Sequence, residues 1–174
     1  MKPECIDNFL GKKEFDKLQK LFIGGNYENG LPWLYQPAID YPDDLNKFQF
    51  IHVFYKNNKQ MCFFEALNPI FQIINPISLW RIKANLLTRT PEIVENAFHT
   101  DFTQSEEKLK QFTTSIFYIN TNNGYTKFED GTKIESVANR MVFFSSNMKH
   151  TGTSCTDEKT RVVINFNYFS KYFK

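Results

Sequence analysis

Arg161-Val162-Val163-Ile164-Asn165-Phe166-Asn167-Tyr168 is the stretch whose reading decides the fold. In extended backbone, successive side chains point to opposite faces. Val162, Ile164, Phe166 and Tyr168 therefore form one apolar face, and Arg161, Val163, Asn165 and Asn167 share the other. An arginine enclosed on that second face needs an anion beside it; at a strand end it would need only a surface carboxylate. Arg81-Ile82-Lys83-Ala84-Asn85-Leu86 alternates in the same way. If Ile82, Ala84 and Leu86 pack outward, then Arg81, Lys83 and Asn85 point into a barrel or its mouth. The other arrangement leaves these polar groups in solvent on an edge strand.

Working outward from these strands, the chain divides into a helical or mixed front (1–78) and a stranded back (79–170), together forming a single domain over 1–174. The front predicts a helix from Phe9 to about Phe22, capped by Asp7 or Asn8 and stopped by Gly24-Gly25. A strand over 48–55 follows, with a turn at Asn57-Asn58, and then a second helix over 61–74, interrupted or restarted at Pro69. In the back, strands are predicted over 113–121, 125–128, 133–137, 140–145 and 161–168. Asn122-Asn123-Gly124 reads as a hairpin turn, and Glu129-Asp130-Gly131-Thr132 as another turn. About eight short strands behind a helical front imply an antiparallel sandwich or barrel buttressed by helices.

Composition narrows the function. At 174 residues the chain can bury a substantial core without staples, and a formal charge of +2 with no basic run gives no indication of nucleic-acid binding. Cys5, Cys62 and Cys155 are odd in number and lack metal-knuckle spacing, which fits reduced thiols in a cytoplasmic protein. No apolar run approaches a membrane span, and no signal core opens the sequence. The wealth of Phe, Asn, Lys and Ile fits an AT-rich genome.

The chemistry-bearing pattern is His99-Thr100-Asp101, followed far downstream by His150 and then by Arg161, eleven residues later. Two imidazoles and one carboxylate can occupy one face of a metal and leave adjacent positions open, as non-haem Fe(II) oxygenases require. Arg161 can hold a keto acid's far carboxylate by a two-pronged, charge-assisted hydrogen bond. Taken singly, His99 and His150 read equally as solvated turn and loop residues. His52, the third histidine, reads as a satisfied core or surface residue.

Residues 79–169 resemble the Fe(II)/2-oxoglutarate-dependent dioxygenases of the prolyl-4-hydroxylase-like branch. The motifs that carry the resemblance are His-x-Asp, the distal His, the Arg after it, and Thr-Ser-Ile-Phe-Tyr-Ile-Asn (114–120). Asn-Gly-Tyr-Thr-Lys-Phe (123–128) and Thr-Arg-Val-Val-Ile-Asn-Phe-Asn-Tyr-Phe (160–169) also contribute. Short phage-encoded members have this style. The resemblance implies a double-stranded β-helix (a jelly-roll or cupin-like barrel), mainly β with flanking helices. It also implies Fe(II) on His99, Asp101 and His150, with 2-oxoglutarate and O2 as co-substrates. Arg161 and Tyr118 would hold the keto acid's distal carboxylate. Asn85 is the candidate for its C1 carboxylate or for substrate, and Arg81, Lys83, Asn165 and Asn167 are candidates for the pocket wall.

The implied reaction is hydroxylation of an unactivated C–H bond with release of succinate and CO2, on a prolyl or other peptidyl residue, an amino acid or another small molecule. Only thirteen residues follow Arg161, so substrate recognition is expected from 89–98, 102–112 and the N-terminal region. Oligomeric state is not legible. A cupin-like metal enzyme that does not use 2-oxoglutarate and a non-catalytic jelly-roll binding module share parts of the same pattern.

Overall fold

The computed structural model describes residues 2–25, 28–42 and 47–170. The outermost residues of the expected single domain, Met1 and 171–174, lie outside that set. Eleven strands are described: β1 (Glu4–Ile6), β2 (Leu34–Gln36), β3 (Gln49–Lys56), β4 (Lys59–Gln60), β5 (Ser78–Thr88), β6 (Thr113–Tyr118), β7 (Tyr125–Phe128), β8 (Lys133–Glu135), β9 (Met141–Ser145), β10 (His150–Gly152) and β11 (Thr160–Phe169). They form two sheets. The major one runs β1-β9-β6-β11-β5-β3-β2, with β4 paired to β3, and the minor one runs β10-β7-β8. All pairings are antiparallel. The fold is a double-stranded β-helix.

The alternation along β11 sorts its side chains as the sequence predicts. Val162, Ile164, Phe166 and Tyr168 join Ile82, Ala84 and Phe117 in a core on the outer face of the major sheet. That core is covered by α1 (Lys12–Gln19), through Phe15 and Leu18, and by α2 (Asn68–Ile74), through Ile70 and Ile74. A smaller cluster, Ile116, Tyr118, Phe128, Val142, Phe144 and Val163, joins the two sheets. The remaining inner face of β5 and β11 is therefore polar and lines a cavity.

Several local expectations shift. The first helix starts at Lys12 rather than Phe9, and neither Asp7 nor Asn8 caps it. Asn139 competes for those backbone groups: its Oδ1 accepts from Leu10 N at 2.9 Å, its Nδ2 donates to Leu10 O at 2.8 Å, and its carbonyl accepts from Phe9 N at 2.9 Å. That pairing ties residues 9 and 10 to the barrel before the helix can begin. The helix then runs into a π-helical turn over Lys20–Gly24, and Gly25 leaves it in extended backbone. Asn139→Ala should cost about 2–3 kcal/mol of stability, since it strands two buried backbone groups and puts alanine at a φ of 62°. Urea denaturation followed by circular dichroism checks this; an unchanged midpoint would contradict it.

The second predicted helix splits into a 3₁₀ turn (Phe64–Leu67) and α2, with Pro69 in the first turn of α2, where its missing N–H costs nothing. Asn57 and Asn58, with φ of 53° and 58°, form the expected tight turn into β4.

Asn122-Asn123-Gly124 is not a hairpin. It carries the chain from β6 in one sheet to β7 in the other. Side chains hold this crossover: Asn122 Oδ1 accepts from Gly124 N at 3.0 Å, and Asn123 is tied to Thr156 and Asp157. The turn residues are present, but their polar side chains stitch the crossover to the 155–158 loop.

Candidate metal and keto-acid site

His99, outside the named strands, meets His150, the first residue of β10, across an antiparallel bridge. Each backbone N–H donates to the other's carbonyl at 3.0 Å, and the imidazole centroids lie 5.1 Å apart. Asp101 lies two residues on, and one ligand atom from each of the three residues falls within 4.8 Å of the others. His99 sits on the bridge and Asp101 at the bend that follows it. His99 Nδ1 faces Ala97 O at 3.0 Å and His150 Nδ1 faces Met148 O at 3.2 Å. A donating Nδ1–H in each ring fixes the tautomer and leaves Nε2 as a lone-pair donor.

The environment favours ligand-competent charge states. His150 is 3% exposed, and burial lowers its pKa, keeping the ring neutral. Its Nε2 is buried and has no hydrogen-bond partner. Such an orphan is costly, and a cation is the partner that a bare imidazole lone pair suits.

For Asp101, burial pushes the carboxyl pKa up, but the electrostatic pull of the adjoining His150 ring and of the Arg81 guanidinium, with the hydrogen bond from Asn167, more than offsets it, so the group stays ionised. Arg81 Nη2 donates to Asp101 Oδ1 at 2.9 Å, Asn165 Nδ2 to the same oxygen at 3.2 Å, and Asn167 Nδ2 to Oδ2 at 2.7 Å. Three donors thus orient one carboxylate. Arg81 and Asn165 also line the cavity as expected, whereas Asn167 is buried behind Asp101 and does not.

The cavity has a volume of about 380 Å³ and lies between the sheets. Its floor is formed by Arg81, Lys83, Asn85 and Leu87 on β5 and by Asn165, Val163 and Arg161 on the paired β11. Arg161 closes one end and is 3% exposed. Its Nε donates to Ser136 Oγ at 2.8 Å and its Nη2 to Thr126 Oγ1 at 3.1 Å. Among the described residues no carboxylate pairs with it, although burial works against its charge. Gly124 makes room for it, because a Cβ there would come within 2.7 Å of Arg161 Cδ and 2.6 Å of Ser154 O.

Tyr118 sits one hydrogen bond further back than the resemblance implies. It is fully buried, and its hydroxyl donates to Thr126 Oγ1 at 2.8 Å. Thr126, not Tyr118, lines the cavity. With Tyr118 and Arg161 both donating to its oxygen, the Thr126 hydroxyl is left free to donate in turn. Asn85 lines the cavity with its Nδ2 3.5 Å from Asn165 Oδ1. His52 stays outside the cluster, its two ring nitrogens facing the carbonyls of Pro32 and Cys62.

The mouth is walled by Asn96, Ala97 and Phe98 from the 89–98 segment and by Gln36, Ile39, Asp40 and Tyr41 from the N-terminal region. The 102–112 segment does not line the cavity. Phe102 and Phe112 pack instead against Trp80, and Phe112 against Phe169.

Residues 89–169 match the family model of the 2OG-Fe(II) oxygenase superfamily. No curated protein sequence matches the chain. Solved structures share its fold. The viral collagen prolyl hydroxylase vCPH of Paramecium Bursaria Chlorella virus-1, in a 2OG complex, aligns with a TM-score of 0.60 at 17% identity over 95% of this chain and 94% of that one. A Trichoplax adhaerens prolyl hydroxylase bound to a hypoxia inducible factor peptide gives 0.62 at 14% identity over 97% and 84%. HygX of Streptomyces hygroscopicus, with nickel, 2-oxoglutarate and hygromycin B bound, gives 0.61 at 10% identity over 99% and 84%. At these identities the likeness is one of fold. The family match itself spans the bridge between the two histidines, the carboxylate beside them and the strand bearing Arg161, so it is over the site-bearing part of the chain that the protein is similar to the 2OG-Fe(II) oxygenase superfamily.

Proposed function

We propose that the chain is an Fe(II)- and 2-oxoglutarate-dependent hydroxylase of the prolyl-4-hydroxylase-like branch, a single domain whose metal is held by His99, Asp101 and His150. The observation that carries this reading is the buried, partnerless Nε2 of His150, aimed at the same point as His99 and Asp101. With Fe(II), 2-oxoglutarate and O2 bound, the centre supplies hydroxylation of an unactivated C–H bond with release of succinate and CO2.

The chain's own residues bind and orient. Arg161 offers its guanidinium to the distal carboxylate, Thr126 adds its free hydroxyl proton, and Tyr118 fixes Thr126 from behind. Asn85 stands where it can donate to the near carboxylate or to substrate. A metal enzyme that does not use the keto acid would leave Arg161 buried without an anion, and a non-catalytic module would leave His150 Nε2 unsatisfied. Among the described residues, no helix is long and apolar enough to cross a membrane. The free Cys5, Cys62 and Cys155 fit a reducing, cytoplasmic setting.

Anaerobic addition of Fe(II) and 2-oxoglutarate to the folded protein should develop a weak visible charge-transfer band, and His99→Ala should abolish it. No band in folded wild-type protein, or an undiminished band in the variant, would overturn the assignment.

A further inference from the structure

The floor of the cavity carries a cation that the proposed chemistry does not use. Lys83 projects from β5 between Arg81 and Asn85, opposite Asn165, which itself donates to Asp101. It therefore lies beside the candidate metal face, far along the floor from Arg161.

The carboxylates lining the cavity, among the described residues, are Asp40 and Asp101. Each already has a cation: Asp40 is held by Lys47 at 2.8 Å and Asp101 by Arg81 at 2.9 Å. Fe(II) and the keto-acid dianion cancel formally, so loading the site leaves the positive surplus intact. Arg161 is met directly by the distal carboxylate. Lys83 makes no hydrogen bond or ion pair with a described residue, and the Asp101 carboxylate, already paired with Arg81, acts on it only through space. Burial, with the neighbouring Arg81 charge, lowers its pKa to about 8, a desolvation cost that an arriving anion would relieve.

We infer that Lys83 receives a carboxylate of the substrate, and that the substrate is a small organic acid hydroxylated close to that carboxylate. This rests on the 2-oxoglutarate-dependent reading above. Size agrees with it. A cavity of about 380 Å³, walled by residues 96–98 on one side and 36–41 on the other, is of the scale that encloses a small ligand.

The test uses the anaerobic Fe(II)–2-oxoglutarate complex of the full chain. The probes are the standard free amino acids, each paired with its primary amide, together with matched acidic and neutral capped peptides. A shift of the visible band reports binding, and succinate release in air reports coupling. At least one free acid should shift the band and stimulate succinate release while its amide does neither, and the peptides should stay silent. In Lys83→Met that acid should bind about 10- to 100-fold more weakly, with the affinity for 2-oxoglutarate unchanged and with Lys83→Arg restoring part of the loss. Lys83→Gln gives the same comparison if the methionine variant does not accumulate.

The inference is overturned by amides acting as well as acids, by peptides acting in place of free acids, by no response from any acid, or by undiminished acid binding in the Lys83 variants. Loss of 2-oxoglutarate affinity in Lys83→Met would also overturn it, because the lysine would then belong to the co-substrate. Absence of the band in wild-type protein is a different failure, that of the underlying reading.

Discussion

Arg161→Ala should raise the 2-oxoglutarate concentration needed to develop the visible band by about 30- to 5,000-fold. That equals about 2–5 kcal/mol, the cost of removing one partner of a desolvated, hydrogen-bonded charge pair. The magnitude follows from what surrounds the guanidinium. Ser136 and Thr126 orient two of its nitrogens through neutral oxygens, and no described carboxylate neutralises it. A buried arginine held in this way is prepared for an anion that arrives from outside. Arg161→Lys should recover only part of the affinity, since a point charge on a flexible stem cannot reproduce the planar fork.

Thermal melts give an independent measure of the same prediction. At about 100 times its dissociation constant, 2-oxoglutarate should stabilise the metal-loaded wild type by about 2.7 kcal/mol and leave Arg161→Ala almost unmoved. Equal 2-oxoglutarate affinities in the two proteins would remove Arg161 from the site.

Why Arg161 was legible, while Thr126 and Ser136 were not, is a matter of period and distance. Arg161 shares a strand with Val162, Ile164, Phe166 and Tyr168, and alternation alone puts it on the opposite face. The same rule placed Arg81, Lys83 and Asn85 on the cavity floor. Thr126 and Ser136 come from the minor sheet and the loop after β8, and they meet Arg161 only because the two sheets close on one another. No local pattern encodes that meeting.

Gly124 held the available clue. Its Gly-after-Asn context reads as a hairpin, yet its φ is not left-handed, and what it provides is space for Arg161. Asn167 shows the limit of alternation: it faces inward as expected, but β11 lies deep enough there that its amide ends on Asp101 rather than in the cavity. Asn139 shows a different limit, since a residue 129 positions from Leu10 decides where the first helix begins.

Asp101→Ala should abolish the metal-dependent band and, with no metal added, also lower stability by about 2–4 kcal/mol at neutral pH. The second effect is the less obvious one, because removing a metal ligand from an apo protein often relieves repulsion. Here the carboxylate is also the anion for Arg81, whose side chain is only 20% exposed, and it accepts from Asn165 and Asn167. Truncation strands a partly buried cation and the Asn165 amide and leaves Asn167 with Thr114 as its remaining acceptor, and breaking such a pair is costly even where forming it gained little.

The pH dependence has a definite sign. The folded-state pKa of Asp101 lies below that of an unfolded aspartate, so its contribution is fully present above about pH 3.9 and is lost as pH falls through the folded value. The stability gap between wild type and variant should therefore be flat across neutral pH and close only in acid. Asn167→Ala separates ligation from orientation: it keeps the carboxylate but removes the 2.7 Å donor, and should weaken metal binding about 10- to 100-fold without abolishing it. Titration of each variant with Fe(II) under anaerobic 2-oxoglutarate, beside urea melts of the metal-free proteins, measures both effects. An Asp101→Ala protein as stable as the wild type at neutral pH would mean that Arg81 finds another anion and that this network does not hold the carboxylate in place.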